Sequence, residues 1–78
     1  MKIYWDGQAK NIIGERVRAL RLSKGWTQKE LAEKLQLEGF EFSDLTILRI
    51  EKGLRFVPDY ELKALAQILN VNYDILLD

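Results

Sequence analysis

Between Trp26 and Gly53 the chain carries two helix-start signals, each followed by a short amphipathic run and a helix stop. Thr27 opens the first. Its hydroxyl can accept from the N–H of Lys29 or Glu30, and Glu30, three residues on, completes a T-x-x-E capping box. Leu31 and Leu35 then share one face, Ala32 leaves room for a neighbouring helix, and the run fades over Gln36 to Glu38 before Gly39 breaks it. Ser43 opens the second run, in which Ile47 and Ile50 face inward and Gly53 ends the helix. With 78 residues the chain builds only a small core, so these stripes must be buried by compact helical packing or by dimerisation.

The flanking segments supply the rest of the bundle. A helix is predicted from about Asn11, as cap, to Ser23, with Ile13, Val17 and Leu20 as its buried stripe and Arg16, Arg18 and Arg21 mostly off it. Gly25 ends it and Trp26 follows as a core anchor. A fourth helix follows Pro58-Asp59 and carries Leu62, Leu65, Ala66 and Leu69 at core spacing. Either Asp59 caps it or Pro58 takes its first position, and Asn70 ends it in the left-handed conformation. Asn72 caps a last helix, Tyr73 to Leu77, whose Ile75 and Leu76 close the bundle. The expected fold is all-α, a compact five-helix bundle over residues 11–78 behind an N-terminal arm, residues 1–10. In the arm, Ile3, Tyr4 and Trp5 precede an Asp-Gly turn signal. It reads either as an extended arm packing its aromatics on the body or a second subunit, or as a partly ordered tail. No strand is required, although residues 2–5 can pair weakly.

Composition closes off much chemistry. At 47% hydrophobic and 31% charged the chain is a folded globule. It has no Cys and no His, which removes disulfides, thiolate and imidazole metal sites and nucleophilic triads. No nucleophile–base pair or phosphate-cradling glycine loop is visible, so no enzyme and no cofactor are expected. No apolar run approaches the ~20 residues that span a bilayer, and the start lacks the apolar core of a signal peptide. A cytoplasmic location follows. Formal net charge is zero but unevenly spread. Residues 1–34 hold eight Lys/Arg and four Asp/Glu, a balance of +4, and residues 35–78 hold four and eight, a balance of −4. This leaves either a basic face in the first half and around Arg49, Lys52 and Arg55 or an ordinary mixed surface, which charge alone does not separate.

Two capped helices one turn apart, the first bracing the second, form the pattern of a helix-turn-helix. The chain resembles the lambda-repressor/Cro-like helix-turn-helix family, often called Xre-type, over Ile12 to Leu77. The resemblance rests on I-G-E-R-V-R-A-L-R in the first helix, W-T-Q-K-E-L-A-E-K-L in the second and S-D-L-T-I-L-R-I-E-K-G in the third, with the tail L-A-Q-I-L-N-V-N-Y-D-I-L-L. One departure stands out: the stretch Q-L-E-G-F-E-F makes the turn between the second and third helices longer than the family's. Phe40 or Phe42, with Leu37, is expected to fill the usual turn core and keep the helix pair at its angle.

The resemblance implies a sequence-specific transcription regulator, acting as a repressor, that binds palindromic double-stranded DNA as a homodimer. No cofactor, no small-molecule ligand and no membrane partner are expected. The third helix would read the major groove, with Ser43, Asp44, Leu45, Leu48 and Arg49 in the outward places. Arg49 is the best base or phosphate reader, and Ser43 either caps or reaches a phosphate. Asp44 suits a helix first turn and can accept from a cytosine amine, and Leu45 and Leu48 can touch thymine methyls. Thr27 and Gln28 would clamp the DNA backbone at the start of the second helix. Lys29, Lys52 and Arg55 are candidate phosphate contacts. The alternative is a protein-interaction module on the same fold without DNA binding, which Asp44, Leu45, Leu48 and the zero net charge favour.

Overall fold

The start and stop signals delimit five helices, and these are all the regular structure among residues 9–77, which a computed structural model describes. They are α1 (Gly14–Ser23), α2 (Gln28–Leu37), α3 (Asp44–Glu51), α4 (Asp59–Leu69) and α5 (Tyr73–Leu77). The fold is the expected all-α bundle. The arm expected over residues 1–10 and the weak pairing at 2–5 lie outside the described residues, except for Ala9 and Lys10. The Lys10 N–H donates to the Gly53 carbonyl at 2.8 Å.

α1 begins at Gly14 with Ile13 as its N-cap residue, so Asn11, the expected cap, stands two residues before Ile13. Its Oδ1 accepts from the N–H groups of Ile13 at 3.2 Å and Gly14 at 2.9 Å. Its amide donates to the carbonyls of Ile50 at 3.1 Å and Arg55 at 2.8 Å. One side chain therefore satisfies the first N–H of α1 and fastens the approach to that helix to the end of α3. The stop at Gly39 is a left-handed closure with φ +94°. The Gly39 N–H returns to the Gln36 carbonyl and the Phe40 N–H to the Leu35 carbonyl, satisfying two of the free C=O groups of α2. Gly25, Gly53 and Asn70 also have positive φ where the other stops were expected. At α4 neither expected start is seen. Pro58, extended at ψ 164°, stands just before the helix, and its carbonyl accepts from Glu61 and Leu62, so Asp59 is the first helical residue.

The core gathers Val17 of α1, Leu31 and Leu35 of α2, Ile47 and Ile50 of α3, and Leu65 and Leu69 of α4, all fully buried. Each contributes about 1.5–3 kcal/mol of apolar burial. Of the pair expected to close the bundle, Leu76 is buried while Ile75 is 45% exposed, because so short a helix turns only one of two neighbouring residues inward. Trp26 is half-buried, at the edge of the core rather than inside it. The ammonium groups of Lys24 and Lys34 lie 5.5 and 4.5 Å from its ring, their stems covering what two short helices cannot enclose.

The long turn is filled differently from expectation. Phe42 is 3% exposed and Phe40 half-buried, edge to face at 6.1 Å, but Leu37 is 87% exposed. Leu37 stands two positions after the buried Leu35, about 200° round the helix, and so points to solvent. No helix among the described residues is long and apolar enough to cross a membrane.

The α2 capping box is complete: the Glu30 N–H donates to the Thr27 hydroxyl at 3.0 Å, and the Thr27 N–H to Glu30 Oε1 at 3.0 Å. The backbone bond from Thr27, then its hydroxyl, hold the Glu30 carboxyl below the ordinary carboxylate value. A depressed folded pKa means stability that is present above the unfolded pKa and lost as pH falls through the folded one. Glu30→Gln is therefore expected to melt below the parent at pH 7, with the gap closing toward pH 3. Equal gaps at both pH values would show that the charge of Glu30 plays no part in the cap.

Candidate nucleic-acid interface

The outward face of α3 is defined by what its inward face does. Ile47, Ile50 and Glu51 point into the bundle and are buried. Asp44, Leu45, Leu48, Arg49 and Lys52 recur at i, i+1, i+4, i+5 and i+8, a stripe about 140° wide on the other side. Asp44, Arg49 and Lys52 are exposed, Leu45 is 47% exposed and Leu48 half-buried. Ser43 is the cap: its hydroxyl accepts from the Thr46 N–H at 3.2 Å, and its own N–H donates to Thr46 Oγ1 at 3.3 Å. Asp44 Oδ1 accepts from the Leu45 N–H at 2.9 Å, next to the free donors of the first turn.

A buried carboxylate fixes the angle of this helix. Arg21 donates from Nε to Glu51 Oε2 at 2.6 Å and from Nη2 to Oε1 at 3.0 Å. Arg21 Nη1 donates to the Trp26 carbonyl at 2.8 Å. Gln28 Nε2 donates to Glu51 Oε1 at 3.1 Å. The last residue of α3 is thus tied to α1 and to the first residue of α2. Geometric and ionic bonds of this kind, made in a site closed to water, are strong and directional. Gly14 tightens the same corner: a Cβ there would stand 2.4 Å from the Ile50 carbonyl oxygen and 2.8 Å from that of Glu51.

Arg21, expected mostly off the buried stripe, is buried and paired with Glu51. The signal was available. Arg21 lies at i+4 from Val17 and Glu51 at i+4 from Ile47, so the helix period places both charges on buried faces, although it does not say which partner each will meet.

These ties set a polarity along α3. The start of α2, with its free N–H groups, lies against the last turn of α3. Gln28 is half-buried there, Lys29 and Lys52 are exposed, and Thr27 is exposed with its hydroxyl used in the cap. The opposite end of α3 follows the long turn, where Glu38, Glu41 and Asp44 are all exposed. One end of the outer face therefore attracts anions and the other repels them. Arg55 stands apart from the remaining candidates. Its guanidinium donates from Nη1 to Glu61 Oε1 at 2.6 Å and from Nη2 to Oε2 at 3.1 Å, and the hydrogen bonds to Glu61 raise its pKa further.

The family model described as a helix-turn-helix domain matches residues 12–76. No curated protein and no solved structure matches the chain. The matched range contains α1 through α4 and all but the last residue of α5, including the cap-to-cap unit from Thr27 to Gly53. With nearly all of its length matched, and with two capped helices locked at a fixed angle, the chain belongs to the helix-turn-helix domain family.

Proposed function

We propose that the chain is a sequence-specific DNA-binding transcription regulator of the lambda-repressor/Cro-like kind, a repressor that binds a palindromic duplex as a homodimer. Residues 11–78 are the DNA-binding unit, and the protein is a binder in the cytoplasm rather than an enzyme. The observation that carries this reading is the division of α3 into a locked inner face and an unspent outer one. A helix held rigidly from behind, with its polar side facing out, suits insertion into a major groove. Family membership makes DNA the expected partner class.

The polarity of the site assigns roles. Gln28, Lys29 and Lys52, with the first-turn backbone N–H groups of Gln28 and Lys29 beside Thr27, grip phosphate at the α2 end. The Gln28 amide has a second N–H, so it can donate to a phosphate while Glu51 holds the first. Arg49 reads a base edge. Asp44 faces a cytosine amine, with Leu45 and Leu48 against thymine methyls, and Ser43 serves as cap at the end where the acids keep phosphates away.

Selection from a randomised duplex pool tests the reading. The parent is expected to select a palindrome, with affinity falling steeply in salt. Arg49→Ala is expected to relax preference at one base pair per half-site and to cost about tenfold in affinity for the selected duplex. An Arg49→Ala protein that selects the same sequence as sharply as the parent removes Arg49 from the readout.

One observation favours a second reading, a protein-interaction module. Leu45 and Leu48 lie beside an acidic rim that repels nucleic acid. On that reading the pool yields no preferred sequence, and changing both leucines to Ser abolishes capture of a protein partner with the melting temperature nearly unchanged.

A further inference from the structure

Arg55, in the loop between α3 and α4, is bound on two sides. One is the carboxylate of Glu61, which is 7% exposed and receives both guanidinium nitrogens. The other is the ring of Phe42, whose centroid lies 5.2 Å from Arg55 Cζ. Phe42 belongs to the stretch that lengthens the α2–α3 turn, and it immediately precedes Ser43, the cap of α3. Its carbonyl accepts from the side-chain amide of Gln36, and its ring is sunk in the core. The backbone of Arg55 is held too, by the Asn11 amide.

We infer that Arg55 is a positioning residue that sets the N-terminal end of α3 through Phe42, and is not a phosphate contact. Reaching a phosphate would break a bidentate pair and strand a buried carboxylate. A longer turn delivers Ser43 to a fixed place only if its added residues are pinned. Phe42 is pinned from inside by the core and from outside by the guanidinium, which α4 anchors through Glu61. The pair is neutral as a unit and adds little positive field for DNA. The affinity part of this inference rests on the DNA-binding reading, and the structural part does not.

Glu61→Gln separates the two roles by sign. If Glu61 merely restrained a phosphate contact, the variant would free Arg55, tighten binding to the selected duplex and steepen the log–log salt dependence by about 0.9. A positioning role predicts that Glu61→Gln and Arg55→Ala both weaken binding, by roughly three- to tenfold, with the salt slope of the parent. Hydrogen exchange on the free chain gives a second readout. Both variants should exchange the Thr46 and Ile47 amides about tenfold faster, leaving the amides of α1 at the parent's rate. Tighter binding by Glu61→Gln, a shallower slope in Arg55→Ala, or unchanged exchange at Thr46 and Ile47 would each overturn the inference. If the parent selects no duplex, the DNA-binding reading fails and the exchange rates alone decide the role of Arg55.

Discussion

Glu51→Ala is expected to lower folding stability by about 3–5 kcal/mol, the range for removing one partner of a buried ion pair. The Glu51 side chain is 2% exposed and that of Arg21 8%, so the variant leaves a guanidinium in the bundle with no carboxylate and no ready access to water. It also removes the acceptor of Gln28. A domain of this size has a total stability of roughly 4–12 kcal/mol, and the loss corresponds to a fall in melting temperature of roughly 12–40 °C. The pair itself need not be stabilising relative to an apolar substitute. Arg21→Met combined with Glu51→Leu should recover most of the loss, while giving up the bond that orients Gln28. Thermal unfolding by circular dichroism of the single and double variants checks both points. A single variant that melts within a few degrees of the parent would mean the carboxylate is not the tie between α1, α2 and α3.

Gly14→Ala gives the second large effect, and here helix propensity and packing predict opposite signs. Gly14 is the first residue of α1, and in an exposed helix Ala would be favoured over Gly by up to about 1 kcal/mol. The Cβ would instead fall 2.4 Å from the Ile50 carbonyl oxygen and 2.8 Å from that of Glu51. Both are backbone atoms of α3, so no side-chain rotation relieves the contact. The helices must part, at a cost of about 3 kcal/mol, the upper part of the range for overpacked sites. Parting them also stretches the Arg21–Glu51 bonds, so the effects of Gly14→Ala and Glu51→Ala should be less than additive. Urea denaturation of the two single variants and the double variant measures this. A stabilised Gly14→Ala would show that α1 and α3 do not approach as closely as described.

Several helix ends were legible because they are set by local chemistry. Thr27 with Glu30, Ser43, Gly39 and Asn70 act within a few residues of themselves, and the structure places them as read. The apolar stripes were legible for the same reason, since Ile47 with Ile50 and Leu65 with Leu69 follow the helix period. What was not legible depends on contacts between distant segments. Nothing local says that Arg21 will meet Glu51, thirty residues on, or that Asn11 will reach the carbonyls of Ile50 and Arg55. In the long turn, Leu37 and Phe42 are both large and apolar, and only the packed geometry decides that Phe42 fills the gap. At the candidate interface the outward residues of α3 could be named from periodicity. The commitment of Arg55 to Glu61 could not, because that pair is made across a loop with Pro58 in it.

On the proposed function, the outer face of α3, gripped from behind at Glu51, lies on duplex DNA. An amide NMR titration of the intact chain with its selected duplex tests this most directly. Shifts are expected to concentrate at Thr27 to Lys29 and along Ser43 to Lys52, with the amides of α5 left where they were. Shifts centred on α5, or none at any duplex concentration, would contradict it.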